Sequence, residues 1–274
     1  MTVSAPVSLR QCPACGSSTR RNLPVYSLDE WRVCACGDCG FVYLSNPPAY
    51  DRLKDEFAFE KTSHAHSVRR KKKMPVVSWL DRKTRWRLHI LRPNEAQEFR
   101  SWFRPGNVLD IGCGSGHRVP EPFTPFGIEA SAYLAAQADQ AMKERGGACV
   151  CAPAVDGVAQ FDAHQFSAVV MRSFLEHEVQ PQVLLNGVFR ILQPDGVAFV
   201  KVPNYGGLNR RVMGRSWCGF RYPDHVNYFT LNSLRAMAFK AGFSLRLLNP
   251  LNLALDDNIH ALLRKPAQGP ASVR

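Results

Sequence analysis

The chain contains no apolar stretch long enough to cross a bilayer. Every hydrophobic run is broken by charge or proline well short of the roughly 20 residues a spanning helix needs, which excludes an integral membrane helix. The opening residues, MTVSAPVSLRQCPAC, hold no apolar core of the kind that marks a secretory leader, so the expected location is the cytoplasm. Acids are scarce too. The 23 Asp and Glu face 35 Lys and Arg, and the net charge is +12. The excess is local: from Thr62 to Arg92 ten Lys or Arg stand against one acid, Asp81. Hydrophobic content of 45% and charged content of 21% are ordinary for a globular protein, so a sizeable core is available.

Cysteine is plentiful. Five of the nine lie between positions 12 and 39, and four of these form two C-x-x-C-G units, Cys12-Pro-Ala-Cys15-Gly and Cys36-Gly-Asp-Cys39-Gly. In a chain with no export signal such clustering favours metal over disulfide. Four thiolates in two tight turns can close a tetrahedron around Zn²⁺, and the following glycine lets the backbone curl toward the sulfurs. Cys34 competes with Cys36 for a ligand place, but only Cys36 and Cys39 repeat the first unit. A site with four cysteines keeps no open position, so the zinc is expected to be structural. Residues 1–48 therefore read as a small zinc-ribbon-like module, 49–92 as a basic helical linker or lid, 93–265 as the main domain and 266–274 as a flexible tail.

From about residue 93 short apolar runs alternate with helical segments, the pattern of an α/β sheet. Strands are expected at 107–111, 126–130, 148–151, 167–171, 197–202, 243–248 and 259–263. Helices are expected at 95–103, 131–144, 181–192 and 230–241, with a further one over VSWLDRKTRWRLHIL in the basic segment. Seven strands with interleaved helices suit one Rossmann-like, doubly wound domain. The last helix begins at a capping Thr230 and stops at Gly242, which supports both of its ends. The stretch HRVPEPFTPF carries prolines at 120, 122 and 125. At about 3 kcal/mol per interior proline, a full helix there is excluded.

Asn107-Val-Leu-Asp-Ile runs into Gly112-Cys-Gly114-Ser-Gly116, a strand followed by a glycine-rich loop with an acid, Asp110, two residues before its first glycine. Such a loop presents free amides and lets a ligand approach the backbone. The next strand ends in Glu129, where a carboxylate can accept from two ribose hydroxyls. LDIGCGSG, GIEAS, FSAVVMRSFLEH, RILQPDGVAFVKVPN and the later WCGFRYPDHVNYF and AGF resemble the class I S-adenosylmethionine-dependent methyltransferases over roughly residues 100–265. The last two resemble a subgroup that often carries an N-terminal C-x-x-C…C-x-x-C module. The resemblance implies a seven-stranded methyltransferase sheet with S-adenosylmethionine as cofactor. It also implies that Gly112, Gly114 and Gly116 line the methionine part, Asp110 orients the loop or the cofactor's amino group, and Glu129 holds the ribose. Met171 and Arg172 would sit beside the cofactor at the end of the fourth strand.

Methyl transfer from a sulfonium is an in-line displacement in which alignment does most of the work, with a base added when the acceptor is a hydroxyl or an acidic carbon. Histidine suits that role. His177, after the fourth strand, and His225, in Pro-Asp-His-Val-Asn-Tyr-Phe, are the candidates, with Asp224 and Tyr228 beside them. The expected function is methylation of a small-molecule, sugar, or glycan- or lipid-linked acceptor. One alternative is an RNA methyltransferase that grips phosphates with the basic residues of 69–87. Another is a binding protein whose methyltransferase domain has lost its activity.

Overall fold

The computed structural model describes residues 9–48 and 95–267. The basic stretch 69–87, the linker or lid 49–92, the helix expected over 77–91 and all but the start of the tail lie outside the described residues.

The main domain is built on a seven-stranded sheet. Its strands are β4 (Asn107–Ile111), β5 (Thr124–Glu129), β6 (Ala148–Cys151), β7 (Phe166–Arg172), β8 (Leu192–Pro203), β10 (Ser244–Leu247) and β11 (Asn258–Arg264), in the order β10-β11-β8-β7-β4-β5-β6. The pairs from β6 across to β8 are parallel, whereas β11 runs antiparallel to both β8 and β10. Alternation along each strand sorts side chains onto two faces. Leu109, Val169 and Ala198 join one buried cluster, while Val108, Ala168 and Val197 join another.

The first face is covered by α3 (Ala154–Ala159), α4 (Pro181–Ile191) and α6 (Leu231–Lys240), which bury Val158, Leu184, Leu185, Val188, Leu234 and Met237 in that cluster. The second is covered by α1 (Glu95–Trp102), through Phe99, together with Phe103 and the loop residues Val119 and Phe123. The α2 helix (Ala132–Lys143), capped by Ser131 accepting from the Leu134 N–H, packs beside β5 and β6. Thr230 starts α6 with a reciprocal capping box to Ser233. As the prolines require, β4 reaches β5 through turns with no helix between them.

The cysteine-rich end forms a second sheet of β1 (Arg20–Asn22), β2 (Val33–Cys36), β3 (Val42–Leu44) and β9 (Asn227–Tyr228). Its last strand comes from the far half of the chain, with Val42 opposite Tyr228 and Tyr43 opposite Asn227. Arg10 reinforces the join: Nε donates to Leu44 O, Nη1 to Val179 O, and Nη2 to Val226 O and Asn227 Oδ1. An aromatic core containing Tyr205, Trp217 and Tyr228 packs against Val33, Val42 and Leu44 of this sheet, with Tyr26, Phe220 and Tyr222 around it. Tyr222 Oη donates to the Tyr26 carbonyl. A short α5 (Leu208–Met213) lies between β8 and this aromatic segment.

Candidate functional site

Chain order creates one crevice. From β4 the chain moves outward through β5 to β6, then returns to β7 on the other side of β4. Ligands of open α/β sheets bind at the carboxyl ends of the strands flanking such a reversal. Here those ends carry the glycine loop, Glu129, and the turn after β7.

Gly112, Gly114 and Gly116 all have positive φ, at 73°, 59° and 84°. Two of them are held by close packing. A Cβ on Gly112 would lie 2.7 Å from the Phe174 ring, and one on Gly116 would lie 2.9 Å from the Ala138 backbone in α2. A Cβ on Gly114 would meet nothing within 4 Å, so the loop leaves open space there. The Glu129 carboxylate accepts from Gly114 N (3.0 Å) and Ser131 N (2.9 Å), which ties the loop tip to the end of β5. Asp110 is buried at the end of β4. Met171 is wholly buried on the first face, and the Arg172 guanidinium stacks over Phe199 at 5.5 Å on the second. A part-exposed glycine loop beside a part-exposed carboxylate can take an adenosyl sulfonium ligand. The residues present fit S-adenosylmethionine.

The turn after β7 carries the second half of the site. Ser173 sits at φ 54°, an uncommon conformation for a residue with a Cβ. The His177 N–H closes the turn on Phe174 O at 2.9 Å. Glu176 is 1% exposed, and its carbonyl accepts from both Val226 N and Asn227 N, just after His225. The His177 and His225 rings meet edge to face with centroids 4.7 Å apart. His177 Nδ1 lies 2.9 Å from Asp224 Oδ1, and Arg221 Nη2 lies 2.7 Å from the other Asp224 oxygen. His225 Nδ1 lies 2.8 Å from Gly219 O. That carbonyl accepts only, so Nδ1 carries the hydrogen and Nε2 keeps its lone pair. Tyr228 is buried, and its hydroxyl donates to His225 O.

Environment drives these groups apart. Burial and the neighbouring His177 push His225 down to about 3. Burial opposes charge on His177 as well, but the Asp224 carboxylate outweighs it and raises that pKa. Asp224 falls to about 2 despite burial, because His177 and Arg221 favour its ionised form. Burial lifts Glu176 to about 7. Neighbouring groups with opposed shifts are a recurrent sign of acid–base work.

In the N-terminal module Cys12, Cys15, Cys36 and Cys39 converge, with all four sulfurs within 4.8 Å of one another. Cys12 Sγ and Cys39 Sγ are 3.6 Å apart, as are those of Cys15 and Cys36. Four sulfurs at about 2.3 Å from one zinc lie about 3.8 Å apart. The turns match: Gly16 N donates to Cys12 O and Gly40 N to Cys36 O, both glycines at positive φ. Cys34 stays outside the cluster, buried with its thiol against Tyr43 O. The donor set and spacing fit zinc.

The order and directions of the strands, with the crevice at β4 and β7, define a Rossmann-like class I methyltransferase fold. A methyltransferase-domain family profile matches residues 81–248, more than half of the chain. The chain belongs to that family and is an S-adenosylmethionine-dependent enzyme. Similar solved structures include the YcgJ protein of Bacillus subtilis, at 16% identity and TM-score 0.49, over 63% of this chain and 97% of that one. Two S-adenosylmethionine-dependent methyltransferases are also similar. The one from Methanosarcina mazei has 17% identity and TM-score 0.46, over 62% of this chain and 98% of that one. The one from Archaeoglobus fulgidus has 13% identity and TM-score 0.47, over 62% and 90%. No curated protein matches the sequence. Among the described residues no helix is long and apolar enough to cross a membrane.

Sequence reasoning missed Glu176. In Leu-Glu-His the acid resembles an ordinary surface residue at a helix start, and it is buried where Val226 and Asn227, about fifty residues further on, pack against its turn. It also missed Arg221, which braces Asp224 from the preceding turn.

Proposed function

We propose that this enzyme methylates a small sugar-like or glycan- or lipid-linked acceptor over the turn that follows β7, and that its cysteine module holds a structural Zn²⁺ on Cys12, Cys15, Cys36 and Cys39. One observation carries the reading: Phe174, whose ring packs on Gly112 of the glycine loop, begins the turn that presents Glu176 and His177. This contact supports a reading in which the cofactor cradle and the acid–base cluster serve one crevice.

In this reading Gly112, Gly114 and Gly116 receive the methionine part of the cofactor, Glu129 takes the ribose hydroxyls and Asp110 orients the loop. Met171 and Arg172 support the end of β7 beside it. Bound S-adenosylmethionine supplies an electrophilic methyl group. His225, uncharged near neutrality and hydrogen-bonded through Nδ1, accepts the acceptor's proton at Nε2. His177, tethered to Asp224, orients the acceptor and stabilises negative charge that develops on it. The module contributes by pairing β3 with β9, which fixes the backbone directly after His225.

The test is a calorimetric titration of zinc-replete protein with S-adenosylmethionine, with Glu129→Ala as the comparison. Loss of charge-assisted hydrogen bonds of about 1.5–3 kcal/mol predicts binding weaker by roughly 10- to 100-fold in the variant. No saturable heat from folded protein, or equal affinity in the variant, would overturn the assignment of the cofactor site. An acceptor screen then starts with free sugars and lipid-linked glycans.

A further inference from the structure

Three side chains at the head of β7 share a property that acid–base chemistry alone leaves unexplained. A carboxylate oxygen of Glu176 and one ring nitrogen each from His177 and His225 all lie within 4.8 Å of one another. We propose that Glu176, His177 and His225 bind a divalent transition-metal cation, separate from the one on the cysteines, and that this cation holds an oxygen atom of the acceptor.

Glu176 supplies the first reason. It is 1% exposed, and its Oε2 has no hydrogen-bond partner among the described residues. A buried carboxylate oxygen left without a donor is costly, and a cation would satisfy it. The orientation of the two histidines supplies the second. Metal-bound imidazoles commonly give their other ring N–H to a carboxylate or a backbone carbonyl, which fixes tautomer and ring direction. His177 Nδ1 faces the Asp224 carboxylate at 2.9 Å, and His225 Nδ1 faces the Gly219 carbonyl at 2.8 Å. Each ring has Nε2 left to coordinate. Asp224 is itself braced by Arg221, so the supporting layer is complete on the His177 side.

The scaffold is also stiff enough to preserve the arrangement. The Glu176 carbonyl receives two N–H groups from the strand entered after His225, and Asn227 Nδ2 donates to Leu175 O and Glu178 O on either side of the turn. Two imidazoles and one carboxylate leave coordination positions open, unlike the closed cysteine site, and this donor set suits zinc, manganese, iron or cobalt. The His177 side chain is 24% exposed, so the cluster opens to solvent on the side where an acceptor would arrive. The acceptor class that follows has a hydroxyl oxygen able to coordinate. This inference rests on the proposed methylation of an acceptor over this turn. It changes one step: with the cation bound, the acceptor hydroxyl gives its proton to water while coordinated, and both histidines act as ligands. Cation and protons compete for the same nitrogens, so binding tightens as pH rises.

Cobalt(II) tests the inference on full-length protein whose cysteine site has first been filled with zinc. The expected result is one further equivalent of bound cobalt, seen as weak d–d absorbance without a thiolate charge-transfer band. Glu176→Gln should weaken that binding by 100-fold or more, and His177→Asn should do the same; the zinc content of both variants should stay at one. Absence of a second equivalent in the wild type at pH 8, or equally tight binding in folded Glu176→Gln, would overturn the inference. The wild-type count stands even if a variant does not fold. Titration with S-adenosylmethionine runs alongside as a separate readout. Cofactor binding without a second cobalt sinks the cation site and leaves the methyltransferase reading intact, whereas a second cobalt without cofactor binding does the reverse.

Discussion

Replacing Arg10 by methionine keeps most of the side chain's apolar length and deletes its guanidinium. That group makes four hydrogen bonds of 2.6–3.1 Å, three to the backbone carbonyls of Leu44, Val179 and Val226 and one to Asn227 Oδ1. Its face also lies over the Tyr43 ring at 5.4 Å. Burial lowers its pKa only to about 10, so the group removed is a cation at neutral pH. A charge-assisted hydrogen bond is worth about 1.5–3 kcal/mol when the partner stays dry, and less where water can replace the donor. These bonds are part-buried, which places the summed loss at about 3 kcal/mol. For a chain of this size about 2–4 °C of melting temperature accompanies each kcal/mol, so Tm should fall by roughly 6–12 °C. Differential scanning fluorimetry on zinc-replete protein reads this directly. Arg10→Lys should recover only part of the loss, because one ammonium cannot reach three divergent carbonyls. Affinity for S-adenosylmethionine should be unchanged, since Arg10 touches neither the glycine loop nor Glu129. A drop of less than about 2 °C would refute the argument that this side chain ties the cysteine module to the acceptor side of the sheet.

Three further outcomes are expected. Cys39→Ser should lose the bound zinc, measured by elemental mass spectrometry, and melt at lower temperature, whereas Cys34→Ala should keep the metal because its thiol stands apart. Gly116→Ala forces a side chain into positive φ against the Ala138 backbone; it should cost about 2 kcal/mol or more and weaken cofactor binding on calorimetric titration. Asp224→Asn should leave cofactor affinity intact and slow methyl transfer to any acceptor found by screening, because His177 keeps the carbonyl of residue 224 but loses the carboxylate that favours its charged form.

How far the sequence could be read depended on the range of the interactions involved. Strands 107–111 and 148–151 and the two ends of α6 were legible because their signals are local: a continuous apolar run, a proline-free window, a capping Thr230 with a glycine beyond the end. The β8 strand was read as starting at Val197, after a Pro194-Asp195-Gly196 turn. It starts at Leu192, with Asp195 at φ 61° inside it and the register to β7 shifting between Phe166 and Ala168. The two-residue β9 carried no local signal, because only its partner β3, far away in sequence, makes it a strand. The candidate site divided along the same line. The glycine loop and Glu129 announced themselves by spacing, and the cysteines by repetition. The contacts that join the turn carrying Glu176 and His177 to Asp224, Val226 and Asn227 span about fifty residues and leave no local signal.

That sheet also sets a schedule for the growing chain. The cysteine module is translated well before β9, so one edge of β3 has no partner until Asn227 and Tyr228 have been made. At about 5–20 residues per second, synthesis of the intervening stretch takes roughly 10–40 s. Through that interval a short apolar strand edge built from Val42, Tyr43 and Leu44 stays open to pairing with any other extended segment nearby. Early metal capture by the cysteines would hold that edge short and fixed while the rest of the protein is still being translated.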